Sequence, residues 1–171
     1  MNAAAQEMAQ VLDRDLAQLR GEVEAYPDDA SLWRLHPDIL NSGGTLVLHL
    51  TGNLLHFIGA VLGGSGYVRD RDAEFAERDV PRAALLVRIE DTRSTLARTL
   101  AALGERDLGA PFPAKAPASL GGQPTIRHLL LHLSVHFMYH LGQVNYHRRM
   151  LGEVRGPTPA QPDPQGQSSQ V

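Results

Sequence analysis

The stretch RHLLLHLSVHFMYHLGQVNYHRRM, residues 127–150, places a histidine at 128, 132, 136 and 140 and adds a fifth at 147. On a helix, residues four apart lie about 40° apart around the axis and one turn apart along it, so an adjacent pair can hold one metal ion. The pairs 128/132, 132/136 and 136/140 are alike in geometry, and spacing does not choose among them. A third ligand has to come from another element. His49 is the natural donor, because it sits in the apolar run LVLHLTGN, where an unpaired imidazole is poorly placed. Three neutral imidazoles with open coordination positions would make a reactive divalent-metal site, since a closed structural site normally takes four protein ligands. The plainer reading of each histidine is a hydrogen-bonded core or interface residue, and an HxxxH pair alone has many false positives.

The rest of the composition narrows the chemistry. The chain has no cysteine, which removes disulfides, thiolate nucleophiles and cysteine zinc sites together and leaves histidine and carboxylate as the strong metal ligands. Its formal charge is −3 with no block of Lys or Arg, which argues against a nucleic-acid surface built on phosphate neutralisation. Hydrophobic residues make up 43% of the 171, and that supports one globular domain with a full core. MNAAAQEMAQVLDRDLAQLR lacks the basic region and apolar run of a signal peptide and reads as a helix, so a cytoplasmic location is expected. Residues 39–68 and 128–147 carry no Asp, Glu, Lys or Arg and are long enough to span a bilayer. Asn41, His49, Asn53, His56, Ser134, Gln143 and Asn145 lie inside them, and such groups suit helices buried in a bundle better than helices in lipid. No membrane association is expected.

The elements that must position these residues are helices. Met8, Val11, Leu12, Leu16, Leu19, Val23 and Tyr26 step by three and four and predict a first helix over about 3–25, stopped by Pro27. The segment 27–43 is rich in turn formers, with the lone Trp33 expected to cap the core. A second helix is predicted from about Gly44 to Leu62, apolar around nearly its whole circumference and so buried on more than one side. A third begins at VPRAALL with Leu85, Ile89, Leu96, Leu100 and Leu103 along one stripe, and a fourth follows GGQPT and runs to about Leu151. Residues 153–171, rich in Pro, Gln and Ser, read as a disordered tail after a bundle over residues 1–152. Four amphipathic helices and no strand pattern predict an all-α four-helix bundle, and the connection 63–80 is long enough to let helices two and three run parallel.

NSGGTLVLHLTGNLLHF, followed by RDRDAEF and later by HFMYHLGQV, resembles the DinB-like superfamily of four-helix-bundle proteins over roughly residues 5–151. The resemblance implies an up-down-down-up order, in agreement with the long crossover between helices two and three. It also implies a metal triad on His49, His136 and His140 holding zinc, nickel or a related divalent ion. Some members of the superfamily are transferases or isomerases that use bacillithiol or mycothiol. It assigns no role to His56, His128, His132 or His147.

Around the triad, Gln143 lies one turn beyond His140 and Asn53 one turn beyond His49, placed to hydrogen-bond a ligand ring or a bound water. Both also suit plain helix packing. Arg69, Asp70, Arg71, Asp72 and Glu74 either rim the pocket and meet an anionic or zwitterionic thiol or form a solvated ion-pair network, with Phe75 packing the loop onto the bundle. The structural role is the favoured one.

Two functions are expected. One is a metal-dependent S-transferase in which the ion lowers the pKa of a small-molecule thiol that attacks an electrophile, chemistry that needs no protein cysteine. The other is a non-catalytic metal- or ligand-binding bundle with a stress-related role. A haem variant of the second reading has no attachment motif behind it. A homodimer through helices two and four is also expected, because Leu46, Leu50, Phe57, Leu130 and Phe137 do not fit around one interior.

Overall fold

The computed structural model describes residues 3–103 and 108–151. Within them the chain is helical, with α1 (Ala3–Glu24), α2 (Asp29–Trp33), α3 (Gly43–Leu54), α4 (Arg71–Ala76), α5 (Arg82–Leu103) and α6 (Ile126–Leu151). There is no strand among the described residues, only an isolated bridge between Pro111 and Thr125. The tail expected over 153–171 lies outside the described residues.

The long helices follow the apolar periodicities. In α1, Leu12, Leu16, Leu19 and Val23 are buried, and Tyr26 continues the stripe past the helix end. In α5, Leu85, Ile89, Leu96, Leu100 and Leu103 form the buried face. Every residue of α3 is buried, as its all-round apolar character predicts, because α4, α5 and α6 all pack around it. Ser42 starts α3 by accepting a hydrogen bond from the Thr45 amide at 3.2 Å. Trp33 seals that end of the core. A Cβ on Gly44 would meet the indole within 2.7 Å, so only glycine lets the ring lie against the helix. The indole Nε1 donates to the Val80 carbonyl at 3.2 Å, which ties α2 to the entry of α5.

Beyond Leu54 the helix continues as a π-helix, Leu55–Leu62. Sequence reasoning predicts an unbroken α-helix there, and nothing in LHFIGAVL distinguishes the two, since the apolar residues suit either winding. The wider turns bring Gly59 and Gly63 against Thr95 and Thr99 of α5.

Polar cross-links record how the helices run. From α1 to α6, Glu22 accepts from Asn145 at 2.7 Å and from Arg148 at 2.7 Å, while Tyr26 reaches His147, so their carboxyl-terminal ends lie together. From α1 to α5, Arg93 donates to Asp13 and Arg82 to the Glu24 carbonyl, so the two run in opposite senses. From α3 to α5, Arg88 meets Thr51 while Gly63 meets Thr99, so these two run in the same sense. From α3 to α6, Gly43 lies against His147 and His49 against His136, an opposed pair.

Gly43–Leu62 is long and apolar enough to cross a membrane, but 78% of that window is buried inside the protein, as for the core helix expected. The second charge-free stretch does not form such a helix among the described residues. The apolar side chains expected to overflow one interior, and so to need a second copy, do not overflow it. Leu46, Leu50, Phe57, Leu130 and Phe137 are all buried within one chain. α4 crosses α3, and the segment before α6 sends Phe112 to within 6.1 Å of the Phe57 ring, so more surfaces cover these helices than four long helices alone supply.

Candidate metal centre

His49 comes from the middle of α3, and His136 and His140 from adjacent turns of α6, which runs opposite to it. One ring nitrogen from each lies within 4.8 Å of the others, so the three could hold one metal ion. The ring centroids of His136 and His140 are 4.6 Å apart, and His49 stands 5.2 Å and 5.3 Å from them. Of the three helical pairs that spacing leaves open, the structure brings 136/140 to His49. His132 is one turn away, its ring stacked on His136 at 6.1 Å, and His128 is exposed near the start of α6.

The outer nitrogens decide what the inner ones can do. His49 Nδ1 lies 3.1 Å from Glu74 Oε2, and His140 Nδ1 lies 2.6 Å from Gln143 Oε1. Glu74 and Gln143 are acceptors and favour the ring proton on Nδ1 with the Nε2 lone pair inward, the tautomer a metal ligand needs. The donor Arg69 Nη2 stands further from His49 Nδ1, at 3.5 Å. His49 Nε2 and His136 Nε2 face each other at 3.3 Å. With His49 fixed as an acceptor, His136 donates across that gap, and a cation among the rings would replace the shared proton. The donor set fits a borderline divalent ion.

Glu74 is the site residue that sequence reasoning placed in a loop network. It is buried at 3% exposure, and Arg69 grips it with two charge-assisted bonds, Nε to Oε1 at 2.7 Å and Nη2 to Oε2 at 2.8 Å. Burial alone would raise its pKa, but the bonds from Arg69 and His49 and their charges outweigh that and hold the carboxyl below its ordinary range. Gly52, three residues after His49, makes this contact sterically feasible, because a Cβ there would collide with the Glu74 carboxylate. Gly52, one turn from His49 on the same helical face, is the only trace of this contact in the sequence, and it does not by itself name Glu74. Phe75 does pack the loop down, and its ring centroid lies 4.9 Å from that of His49.

Burial, reinforced by the neighbouring charges of His140, His49, His132 and Arg69, pushes His136 down to about 4. His140 is lowered by burial too, partly offset by its bond to Gln143. Both rings are therefore neutral at pH 7 and able to coordinate.

The remaining polar residues divide by their contacts. Gln143 meets a ligand ring, that of His140. Asn53 does not; it is buried, and its Oδ1 meets no partner among the described residues. His147 is structural, with Nδ1 at 2.7 Å from Tyr26 Oη and Nε2 donating to the Arg34 carbonyl at 2.8 Å. His56 packs its ring on Phe57 at 4.8 Å. In the RDRDAEF segment, Asp70 caps α4 by accepting from the Ala73 amide at 2.9 Å, and Arg71 lies over the Phe75 ring at 5.0 Å.

The sequence model of a family described as protein of unknown function (DUF1572) matches residues 1–155, nearly the whole chain. The chain belongs to that family. No curated protein matches it, and no solved structure does.

Proposed function

We propose that this DUF1572 member is a DinB-like, up-down-down-up four-helix-bundle protein that holds zinc or nickel on His49, His136 and His140 and transfers a low-molecular-weight thiol onto a small electrophile. One observation carries the reading: three imidazoles converge from two helices, two of them with their outer nitrogens already engaged by Glu74 and Gln143. Three protein ligands leave coordination positions open, which favours reactivity over a purely structural site. The helix senses read from the Glu22, Asp13, Thr51 and His49 contacts support the bundle order.

A bound divalent ion would lower the pKa of a coordinating thiol, supplying at neutral pH the nucleophile that the cysteine-free chain lacks. The protein's own part is positional. Glu74 and Gln143 hold two ligand rings in one tautomer, and Arg69 keeps Glu74 ionised. Phe75 and Tyr139, packed on His49 and His140, give the site aromatic neighbours. In the transfer the thiol gives up its proton, a sulfur–carbon bond forms, and the leaving group departs with its bonding pair. We place the protein in the cytoplasm.

We also propose a homodimer, now through α6 alone. Leu131, Val135, Met138, Tyr139 and Tyr146 are exposed along one outward stripe of that helix, with Gly142 among them, and an apolar stripe of this length suits a second copy.

The test is a transfer assay on metal-loaded protein with a panel of small thiols and a generic aryl electrophile. Turnover that requires metal and disappears in His136→Ala supports the transferase. Stoichiometric metal binding without turnover for any thiol would leave the non-catalytic metal-binding bundle as the function.

A further inference from the structure

A second groove opens between α3, the 63–70 connection and α5. Its volume is about 590 Å³, and Leu48, Leu55 and Leu85 give it an apolar lining. A smaller cavity of about 200 Å³ continues from it past Leu48, Tyr67 and Arg88. Small-molecule sites occupy about 300–1,000 Å³. The volume therefore suits a compact ligand.

Arg88, Glu77 and Asp91 line it without pairing with one another. Arg88 is half-buried, with Nε donating to Thr51 Oγ1 at 2.8 Å and Nη2 donating to Tyr67 Oη at 3.1 Å. Both acceptors are neutral hydroxyls, and a guanidinium has about five N–H donors, so most of its capacity is unspent. Asp91 stands three residues further along α5, a spacing at which Arg and Asp commonly pair, and Glu77 lines the same groove. Neither carboxylate pairs with Arg88 or with any other cation among the described residues. Arg88 is held instead against α3 by its bond to Thr51, and the two carboxylates are exposed on the same groove.

We infer that this groove binds a small zwitterion with an apolar side chain, of the α-amino-acid class. The carboxylate pairs with Arg88, the ammonium group turns toward Glu77 and Asp91, and the side chain lies against Leu55 and Leu85. A simple anion meets two carboxylates beside the guanidinium, and a simple cation leaves the unspent donors of Arg88 without an acceptor. A ligand carrying both charges gives the guanidinium and a carboxylate a partner each.

Calorimetric titration of the full chain with L-leucine and L-phenylalanine, and with leucine amide and N-acetyl-leucine, tests the inference. At least one free amino acid should bind saturably, and each blocked leucine should bind about tenfold more weakly or worse, the loss expected for one charge-assisted contact. Arg88→Gln should weaken the free amino acid to the level of the amide while metal stoichiometry stays as it was. The blocked ligands probe the unmodified chain, so the outcome does not depend on that variant folding. Absence of saturable binding by either amino acid, or an amide that binds as tightly as the acid, would overturn the proposal.

Discussion

Glu74 Oε2 lies 3.1 Å from Nδ1 of His49, although the two residues are 25 positions apart and on different helices. That contact fixes the His49 tautomer and joins the RDRDAEF segment to the triad. Substitution of Glu74 by Gln keeps an acceptor for the ring but removes the charge that Arg69 grips. Metal affinity should fall by about 10–100-fold, the usual effect of losing an outer-shell partner. Competition with a chelating dye measures it.

Gly52→Ala should have a similar effect without touching a ligand. The added Cβ occupies the space of the Glu74 carboxylate, so Glu74 must withdraw from His49 or α4 must move. Weaker metal binding with helicity retained is the expected result. Wild-type affinity in this variant would separate Glu74 from the site.

His132→Ala should leave metal stoichiometry unchanged, whereas His136→Ala and His140→Ala should each abolish tight binding. The distinction rests on one helical turn. The His132 ring stacks on His136 but stands outside the convergent group. Elemental analysis of the three variants checks it.

The metal-free protein should lose stability as pH falls from about 6.5 toward about 4. His136 is held down to about 4 in the fold and His140 is lowered too, while in the unfolded chain each takes its proton near about 6.5. Between those values the unfolded state binds more protons, so acid favours unfolding, and above about 6.5 the full contribution is present. Urea midpoints measured in chelator at pH 7.5 and pH 5 should show a decrease, and an unchanged midpoint would contradict the burial of these rings.

Val135→Glu should convert the proposed dimer to a monomer. The side chain is 71% exposed on α6, so the charge costs the single chain little, yet it would sit in the interface. Light scattering of the unmodified protein should give twice 18.6 kDa. A mass near that of one chain would end the proposal.

The long helices were legible because their stripes depend on local information, and the histidine group was legible only in part. A period of three and four marks the buried stripes of α1 and α5, whereas histidine spacing left the pairs 128/132, 132/136 and 136/140 alike, and only the resemblance pointed to His49, His136 and His140 as a set, which the structure brings together. Glu74 was hidden because its burial depends on a meeting between two segments, licensed by a glycine whose meaning appears only when the loop is folded onto α3. The π-helical turns after Leu54 left no mark, since leucine, phenylalanine and isoleucine bury equally well in either winding. The dimer argument from Leu46, Phe57 and Phe137 failed for a related reason: it counted four helices as the available cover, and α4 and Phe112 supply more.

A single divalent ion held by His49, His136 and His140 should be lost with these three side chains, and elemental analysis of the purified chain beside its triple-alanine variant at these positions measures it. About one equivalent of zinc or nickel per chain is expected in the first, none in the second, and the same helical circular dichroism in both. Metal that persists in the triple variant, or an unmodified chain that takes up no divalent ion on reconstitution, would contradict that assignment.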